Sequence, residues 1–146
     1  MIILDTDCLT ILERTSGDQY QYLSRKLGDY SVEDITTTIV TFDEQMRGWM
    51  AVAARAKSVG EMIFAYERLE GFLKTFRVIP VLSFDEGAAE IYEGLRKQKL
   101  RLGTMDLRIA AIAISRSAIL VSRNLVDFER IPGLSVEDWT RETYIN

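Results

Sequence analysis

Residues 1–7 read MIILDTD, an uninterrupted apolar run that ends at an acidic residue. A continuous apolar run of this kind is typical of a strand buried on both faces of a parallel sheet. Asp5 follows the run directly, and the carboxyl ends of parallel strands open onto the crevice where α/β proteins bind ligands. Packing gives a poor reason for a carboxylate there, so Asp5 is a candidate functional residue. Asp7 is predicted to cap a helix that begins at Cys8.

Strands and helices are predicted to alternate along the rest of the chain. The β-branched residues 35–40 indicate a second strand, and Thr41 with Glu44 has the spacing of a capping box that opens a helix. Helical patterns over residues 45–76, interrupted near residues 58–60, predict a helical hairpin. The other predicted elements are a helix over residues 8–27 ended by Gly28, a strand at residues 77–82 with Pro80 at a sheet edge, a helix opened by the box Ser83 and Glu86, a helix at residues 105–116 capped by Thr104, and strands at residues 118–121 and 134–136. This alternation favours an α/β fold with helices on both faces of a mainly parallel sheet.

The composition fits one globular domain, assigned to residues 1–146. With 47% apolar and 27% charged residues, a chain of 146 residues can bury roughly two-thirds of its unfolded surface. The sequence lacks an apolar run of membrane-spanning length and the basic segment of a signal peptide, so we expect a cytoplasmic protein without a membrane partner. The single Cys excludes an internal disulfide. Because the sequence also has no His, most catalytic schemes that do not use carboxylates are excluded.

Four acidic residues stand at the ends of apolar or helical segments: Asp5, Glu44, Asp106 and Asp127. Glu44 and Asp106 each have a structural explanation, since acids favour the first turn of a helix. Asp127 could belong to a loop with an Asx turn at Asn124. Together, however, these carboxylates would repel one another unless a cation neutralised them. Mg²⁺ or Mn²⁺ binds carboxylate oxygens and could activate a water without a His or Lys base, so the pattern predicts a metal-dependent hydrolytic site.

Four sequence blocks carry a resemblance to a known family. They are ILDTD at residues 3–7, TFDEQMRG at 41–48, GTMDLRIAA at 103–111 and LVSRNLVDFERIPGL at 120–134. Through them the chain resembles the PIN-domain ribonucleases and, among these, the VapC-type toxins of bacterial toxin–antitoxin pairs. The resemblance implies a PIN-like three-layer α/β fold with a central, mainly parallel sheet flanked by helices. It also implies an endoribonuclease that hydrolyses RNA phosphodiester bonds with Mg²⁺ or Mn²⁺.

By motif, the resemblance makes Asp5, Glu44 and Asp106 catalytic residues and metal ligands. The fourth position falls in the last block, where either Asp127 or Asn124 would complete the site. Asn124 would bind the metal more weakly, whereas Asp127 would supply charge.

The chain departs from the family pattern at two places. Asp7 stands where Asn is common, and Phe42-Asp43 replaces a small or apolar pair ahead of Glu44. We interpret Asp7 as a helix cap rather than as a further acid of the pocket.

The resemblance further implies a homodimer, an RNA substrate and a cognate antitoxin whose tail occupies the active-site groove. Arg47 and Arg123, each close in sequence to a proposed ligand, are candidates for contact with RNA phosphates. The large apolar residues over 45–76 are explained by core packing or by an exposed groove for a partner helix.

Two alternatives stay open. Leu4-Asp5-Thr6-Asp7 also resembles the nucleophile motif of haloacid-dehalogenase-type phosphatases, and the chain could be an inactive PIN-like interaction module.

Overall fold

The computed structural model describes residues 1–142 and contains one five-stranded sheet in that part of the chain. The strands are β1 (Ile2–Leu4), β2 (Ile35–Thr38), β3 (Val81–Leu82), β4 (Ile119–Val121) and β5 (Ser135–Glu137). Their order across the sheet is β3-β2-β1-β4-β5, and every pairing is parallel. The predicted α/β fold with a parallel central sheet is therefore confirmed. The last four residues of the predicted domain, 143–146, lie outside the described part.

Seven α-helices and one short 3₁₀ turn connect these strands within residues 1–142. The helices are α1 (Thr6–Arg14), α2 (Asp18–Leu27), α3 (Ile39–Ala54), α4 (Val59–Val78), α5 (Glu86–Lys97), α6 (Thr104–Ser115) and α7 (Leu125–Phe128), and the 3₁₀ turn is Val32–Asp34. None of the helices described is both long enough and apolar enough to cross a lipid bilayer.

Successive residues of a strand point to opposite faces of the sheet, and both faces are buried. Ile3 and Leu120 belong to a core that includes residues of α5 and α6. Ile2 and Leu4 belong to a second core, which includes residues of α1 and α2. The three-layer arrangement follows from this alternation, and both strand faces are apolar because helices cover each of them.

Parallel pairing brings the ends of three strands to one edge of the sheet. Leu4 is in register with Val121, and Ile3 is in register with Thr36. The residues that follow β1 and β4, and the last residue of β2, therefore lie close together at the carboxyl edge. Asp5 is the first residue beyond β1, so the fold delivers it to this edge.

The junction between β2 and α3 differs from the sequence-based expectation. The strand ends at Thr38 rather than at residue 40, and Thr38 caps α3 by accepting a hydrogen bond from the Thr41 N–H at 3.0 Å. The predicted capping box of Thr41 and Glu44 is therefore wrong, and Glu44 lies in the second turn of α3. The tertiary structure overrides the β propensity of Ile39 and Val40, because Val40 packs into the core from the helix.

Three other predicted caps are also wrong. Asp5, not Asp7, caps α1, and Asp85, not Ser83, caps α5. Thr104 is the first residue of α6, and the capping position is Gly103.

The helix predicted over residues 8–27 is divided into α1 and α2. The chain leaves α1 at Thr15, which has a left-handed φ of 51°, and enters α2 after Gly17, with φ of 91°. Helical geometry cannot continue through two such residues, so the first part of the chain forms two shorter helices.

The helical hairpin predicted after β2 is confirmed as α3 and α4, with Ser58 capping α4. Phe42 of α3 packs against Phe72 and Phe76 of α4, with ring centroids 5.2 and 5.3 Å apart. The helix α4 continues to Val78, and the strand predicted at 77–82 is reduced to β3. It is an edge strand, as Pro80 indicates.

We expect Thr38→Val to lower the free energy of unfolding by about 1–2 kcal/mol, because the substitution keeps the side-chain volume but leaves the buried Thr41 N–H without its acceptor. Thr38→Ser is the matched control, since it retains the capping hydroxyl. Chemical denaturation of the variants measures the difference. A Val variant as stable as wild type would show that Thr38 is not the cap that fixes this junction.

Candidate active site

A cleft of about 150 Å³ opens at the carboxyl edge of the sheet, where β1 and β4 end. Its lining residues come from four helices and the loops before them: Asp5, Thr6, Asp7, Glu44, Asp106, Ile109, Asn124 and Phe128. Three of the four predicted acids, Asp5, Glu44 and Asp106, thus line one cleft although they are up to 101 positions apart in the chain, from Asp5 to Asp106.

Asp5 is buried and has two structural partners. Its Oδ1 accepts a hydrogen bond from the Cys8 N–H at 3.0 Å, which caps α1. Burial raises the pKa of Asp5, while hydrogen bonds from Ser122 and Cys8 lower it to a smaller extent. Cys8 itself is fully buried, and its Sγ donates to the Val121 carbonyl at 3.4 Å. Asp5 therefore both caps a helix and lines the cleft, and the two roles do not exclude each other.

Glu44 reaches the cleft from the second turn of α3. The Thr6 hydroxyl donates to Glu44 Oε2 at 3.3 Å, so a residue of α1 holds the carboxylate of α3 in place. Burial is the main cause that raises the pKa of Glu44, and the charges of Asp106 and Asp5 raise it further. Thr6 was not singled out from the sequence, although its position directly after Asp5 in the first block could have indicated it.

Asp106 lies in the first turn of α6, a helix whose residues Leu107 and 109–113 are buried. Burial is the largest cause that raises the pKa of Asp106, followed by the charges of Asp127 and Asp5. The apolar body of α6 anchors this helix against the sheet. Its N-terminal turn is thereby held at the edge where Asp5 stands.

Asp7 lines the cleft and does not cap α1, so the interpretation of Asp7 as a helix cap is wrong. The chain enters α1 two residues earlier than expected, and this shift places Asp5 at the cap and Asp7 in the first turn. A negative charge in this turn is favoured by the helix dipole.

The two candidates for the fourth position differ in their placement. Asn124 is among the cleft-lining residues, whereas Asp127 is not. The Asn124 Nδ2 donates to Asp127 Oδ2 at 3.0 Å, so the two side chains form one pair. The charge of Asp127 nevertheless reaches Asp106, because it raises the pKa of that carboxyl.

The charge balance of the cleft suits a hard divalent cation. Asp5, Glu44 and Asp106 all have raised pKa values, and none of them forms an ion pair with a Lys or Arg within residues 1–142. The donors are carboxylate, amide and hydroxyl oxygens, which Mg²⁺ and Mn²⁺ prefer. Among residues 1–142, no group of three or more carboxyl or thiol side chains is arranged so that it could hold a metal ion. A hydrated Mg²⁺ needs only one or two carboxylates together with water, so the cleft fits such an ion.

The two arginines singled out from the sequence differ in their surroundings. Arg47 pairs with Asp43 through Nε and Oδ1 at 2.6 Å on the surface of α3. Arg123 is exposed and lies immediately before Asn124 in the chain. It is therefore the better placed of the two to meet a ligand at the cleft.

Comparisons with known proteins agree with this architecture. The family model described as PIN domain matches residues 2–134. The tRNA(fMet)-specific endonuclease VapC of Salmonella typhimurium is 39% identical over 75 residues, a match that covers 49% of this chain and 54% of that protein. The chain thus spans about half the length of this relative. Ribonuclease VapC1 of Rickettsia felis is 29% identical over 141 residues, covering 92% of this chain and 93% of that protein.

A solved structure extends the agreement to the whole fold. The crystal structure of VapBC2 from Rickettsia felis, bound to a DNA fragment from its promoter, has a chain that aligns with a TM-score of 0.71 and 26% identity. The alignment covers 95% of this chain and 99% of that one. The resemblance inferred from the four sequence blocks is confirmed, and the chain belongs to the PIN domain family.

Proposed function

We propose that the protein is a divalent-metal-dependent endoribonuclease and the toxin of a type II toxin–antitoxin system. The observation that carries this proposal is the convergence of Asp5, Glu44 and Asp106, from three separate elements, on one cleft of a PIN domain. Relatives named as ribonucleases and as a tRNA endonuclease support RNA as the substrate.

In this proposal Asp5, Glu44 and Asp106 hold Mg²⁺ or Mn²⁺, and the pair Asn124 and Asp127 supplies the fourth position. The bound ion would lower the pKa of a water and offset negative charge on the phosphodiester. The residues of the chain orient the carboxylates: the Cys8 N–H fixes Asp5, and the Thr6 hydroxyl fixes Glu44.

Arg123 is proposed to contact an RNA phosphate beside the cleft. It is exposed and adjacent to Asn124, and a guanidinium can bind a phosphate through two parallel hydrogen bonds. Its charge would offset part of the repulsion between the acidic cleft and the RNA backbone. A transfer RNA is the first substrate to test, in view of the relatives' names.

The partners proposed are a cognate antitoxin and a second copy of the chain. The hairpin of α3 and α4 exposes a series of large apolar side chains: Met50, Val59, Met62, Ile63, Phe64, Tyr66 and Leu73. Surfaces of this kind receive amphipathic helices, and we assign this one to the antitoxin. We further propose that residues 1–146 form one domain and that it acts in the cytoplasm.

Two other functions have less support. The family match over residues 2–134 gives no basis for the phosphatase alternative, in which Asp5 would be phosphorylated. An inactive PIN-like interaction module would share the fold, but the raised pKa values of three carboxyl groups are costly in a cleft that never binds a cation.

We expect purified protein to cleave RNA with Mg²⁺ or Mn²⁺ and to lose cleavage when EDTA removes the metal. Asp5→Asn, Glu44→Gln and Asp106→Asn should each lower the rate by at least about 100-fold, because metal ions contribute several kcal/mol to charge stabilisation in such reactions. Gel-based cleavage of labelled RNA measures the rates.

Asp43→Asn is the matched control for these acids. Asp43 precedes Glu44 in the chain but pairs with Arg47 outside the cleft, so the control should retain wild-type cleavage. Equal cleavage by wild type and the three cleft variants, or cleavage that persists in EDTA, would refute the proposed function.

Neutralising Asp5 is expected to stabilise the metal-free protein. Because the pKa of Asp5 is raised in the folded state, the folded protein retains a proton that the unfolded chain releases from about pH 4 upwards. The stability that this retained proton contributes is present below about pH 4 and is lost as the pH rises through the raised pKa of Asp5. The Tm of Asp5→Asn should therefore exceed that of wild type by a margin that grows from about pH 4 to about pH 7. Thermal unfolding in EDTA measures the margin, with Asp43→Asn as control, and a margin independent of pH would contradict the electrostatic cause.

We expect a small reading frame next to this gene to encode the antitoxin and its product to co-purify with the chain. Phe64→Asp should weaken the complex at least about tenfold, since a charge would be buried against the partner helix. Val32→Asp is the control, because Val32 is an exposed apolar residue outside the hairpin. Binding titrations with the purified partner measure both, and equal weakening by the two variants would exclude the hairpin as the docking surface.

A further inference from the structure

The side chains of Asn124 and Asp127 meet in a contact that fixes how the Asn124 amide is turned. The Asn124 Nδ2 donates to Asp127 Oδ2 at 3.0 Å. An ionised carboxylate only accepts hydrogen bonds, so the nitrogen side of the amide must face Asp127. The amide oxygen, Oδ1, is thereby turned away from Asp127. Asn124 lines the cleft and Asp127 does not.

We propose that Asp127 is a positioning residue, whose carboxylate holds the Asn124 amide oxygen toward the cleft so that Asn124, rather than Asp127, faces the cation. This inference rests on the proposed function, because it assigns roles within the same metal site. An outer partner of this kind orients a ligand by occupying its other polar atom.

The backbone around Asn124 supports a fixed orientation. The Asn124 N–H donates to the Ser122 hydroxyl at 3.0 Å, and the Asn124 carbonyl accepts from the Phe128 N–H at 3.2 Å. Ser122 is fully buried and, like Asp5, is the first residue beyond a strand at this edge. The backbone of Asn124 is thus tied to Ser122, which leaves the side-chain amide as the part that Asp127 must orient.

The distribution of charge favours an amide over a carboxylate at the fourth position. Asp5, Glu44 and Asp106 already line the cleft, and a fourth carboxylate inside it would add to the repulsion between them. An amide oxygen donates a lone pair to the cation without adding charge. Asp127, whose charge still reaches Asp106, strengthens the negative potential from outside the lining.

The test is calorimetric titration of the full chain with Mn²⁺, because affinity for the metal alone is independent of RNA cleavage. We expect Asn124→Ala and Asp127→Ala each to weaken Mn²⁺ binding by about tenfold, the lower end of the effect of losing an orienting partner. The double variant should bind no more than about threefold more weakly than either single variant, since Asp127 acts through Asn124. Asp127→Asn keeps an oxygen acceptor for the Asn124 amide and removes only charge, so it should stay within about threefold of wild type.

Other outcomes would overturn the inference. If Asp127→Asn binds as weakly as Asp127→Ala while Asn124→Ala binds like wild type, Asp127 is the direct ligand. If the effects of Asn124→Ala and Asp127→Ala multiply, the two residues act independently. Thermal unfolding in EDTA checks that each variant is folded. Should Asp127→Ala fail to fold, the comparison of Asn124→Ala with Asp127→Asn decides. The inference requires that Asn124→Ala lose Mn²⁺ affinity and that Asp127→Asn keep an affinity close to that of wild type.

Asp5→Asn separates this inference from the proposed function. Mn²⁺ binding that depends on Asp5 and Asn124, in a protein that cleaves no RNA, would refute the proposed function and leave the inference standing. RNA cleavage that depends on Asp5, combined with Mn²⁺ affinity unaffected by Asn124→Ala, would refute the inference alone. A wild-type protein that binds no Mn²⁺ would refute both.

Discussion

The parallel pairing of β1 with β2 on one side and β4 on the other determines where everything else in the molecule stands. It aligns Leu4 with Val121 and sets the carboxyl ends of three neighbouring strands at one edge of the sheet. Asp5 and Ser122 are each the first residue beyond a strand, so this register places them side by side at that edge. A one-residue slip of β1 would exchange the faces of Ile2 and Ile3 and move Asp5 out of the cleft. The packing of two cores therefore also fixes the position of the central carboxylate.

Strand β2 shows how this fold accommodates polar residues in its interior. Thr36 and Thr37 donate their hydroxyl hydrogens to the carbonyls of Ile2 and Leu4, at 2.7 and 2.8 Å. Thr38 uses its hydroxyl to cap α3. Three buried hydroxyls are thus satisfied by the neighbouring strand or by the next helix, as buried polar groups require. This arrangement starts α3 early enough for Glu44 to lie in the second turn of the helix rather than in the capping turn.

Much of the architecture was predictable from local patterns, whereas the junctions were not. The apolar run before Asp5 predicts a buried parallel strand, and the interruption near Ser58 predicts the hairpin. Both features depend on residues close in sequence. The start of α3 could not be predicted, because the spacing of Thr38 and Thr41 allows either residue to cap, and burial of Val40 decides between them. The pairing of Asn124 with Asp127 likewise requires the side-chain rotamers, which sequence spacing does not specify.

The single thiol of the chain lies directly beneath this site. Cys8 is fully buried, burial raises its pKa, and its Sγ donates to the Val121 carbonyl of β4. Thiolates are the reactive form of cysteine, so the folded protein protects this group from alkylating reagents. Its labelling then requires α1 to separate from the sheet. Cys8 is therefore a native reporter of local opening at the carboxyl edge of the sheet, on the timescale that hydrogen exchange probes, and it needs no engineered label.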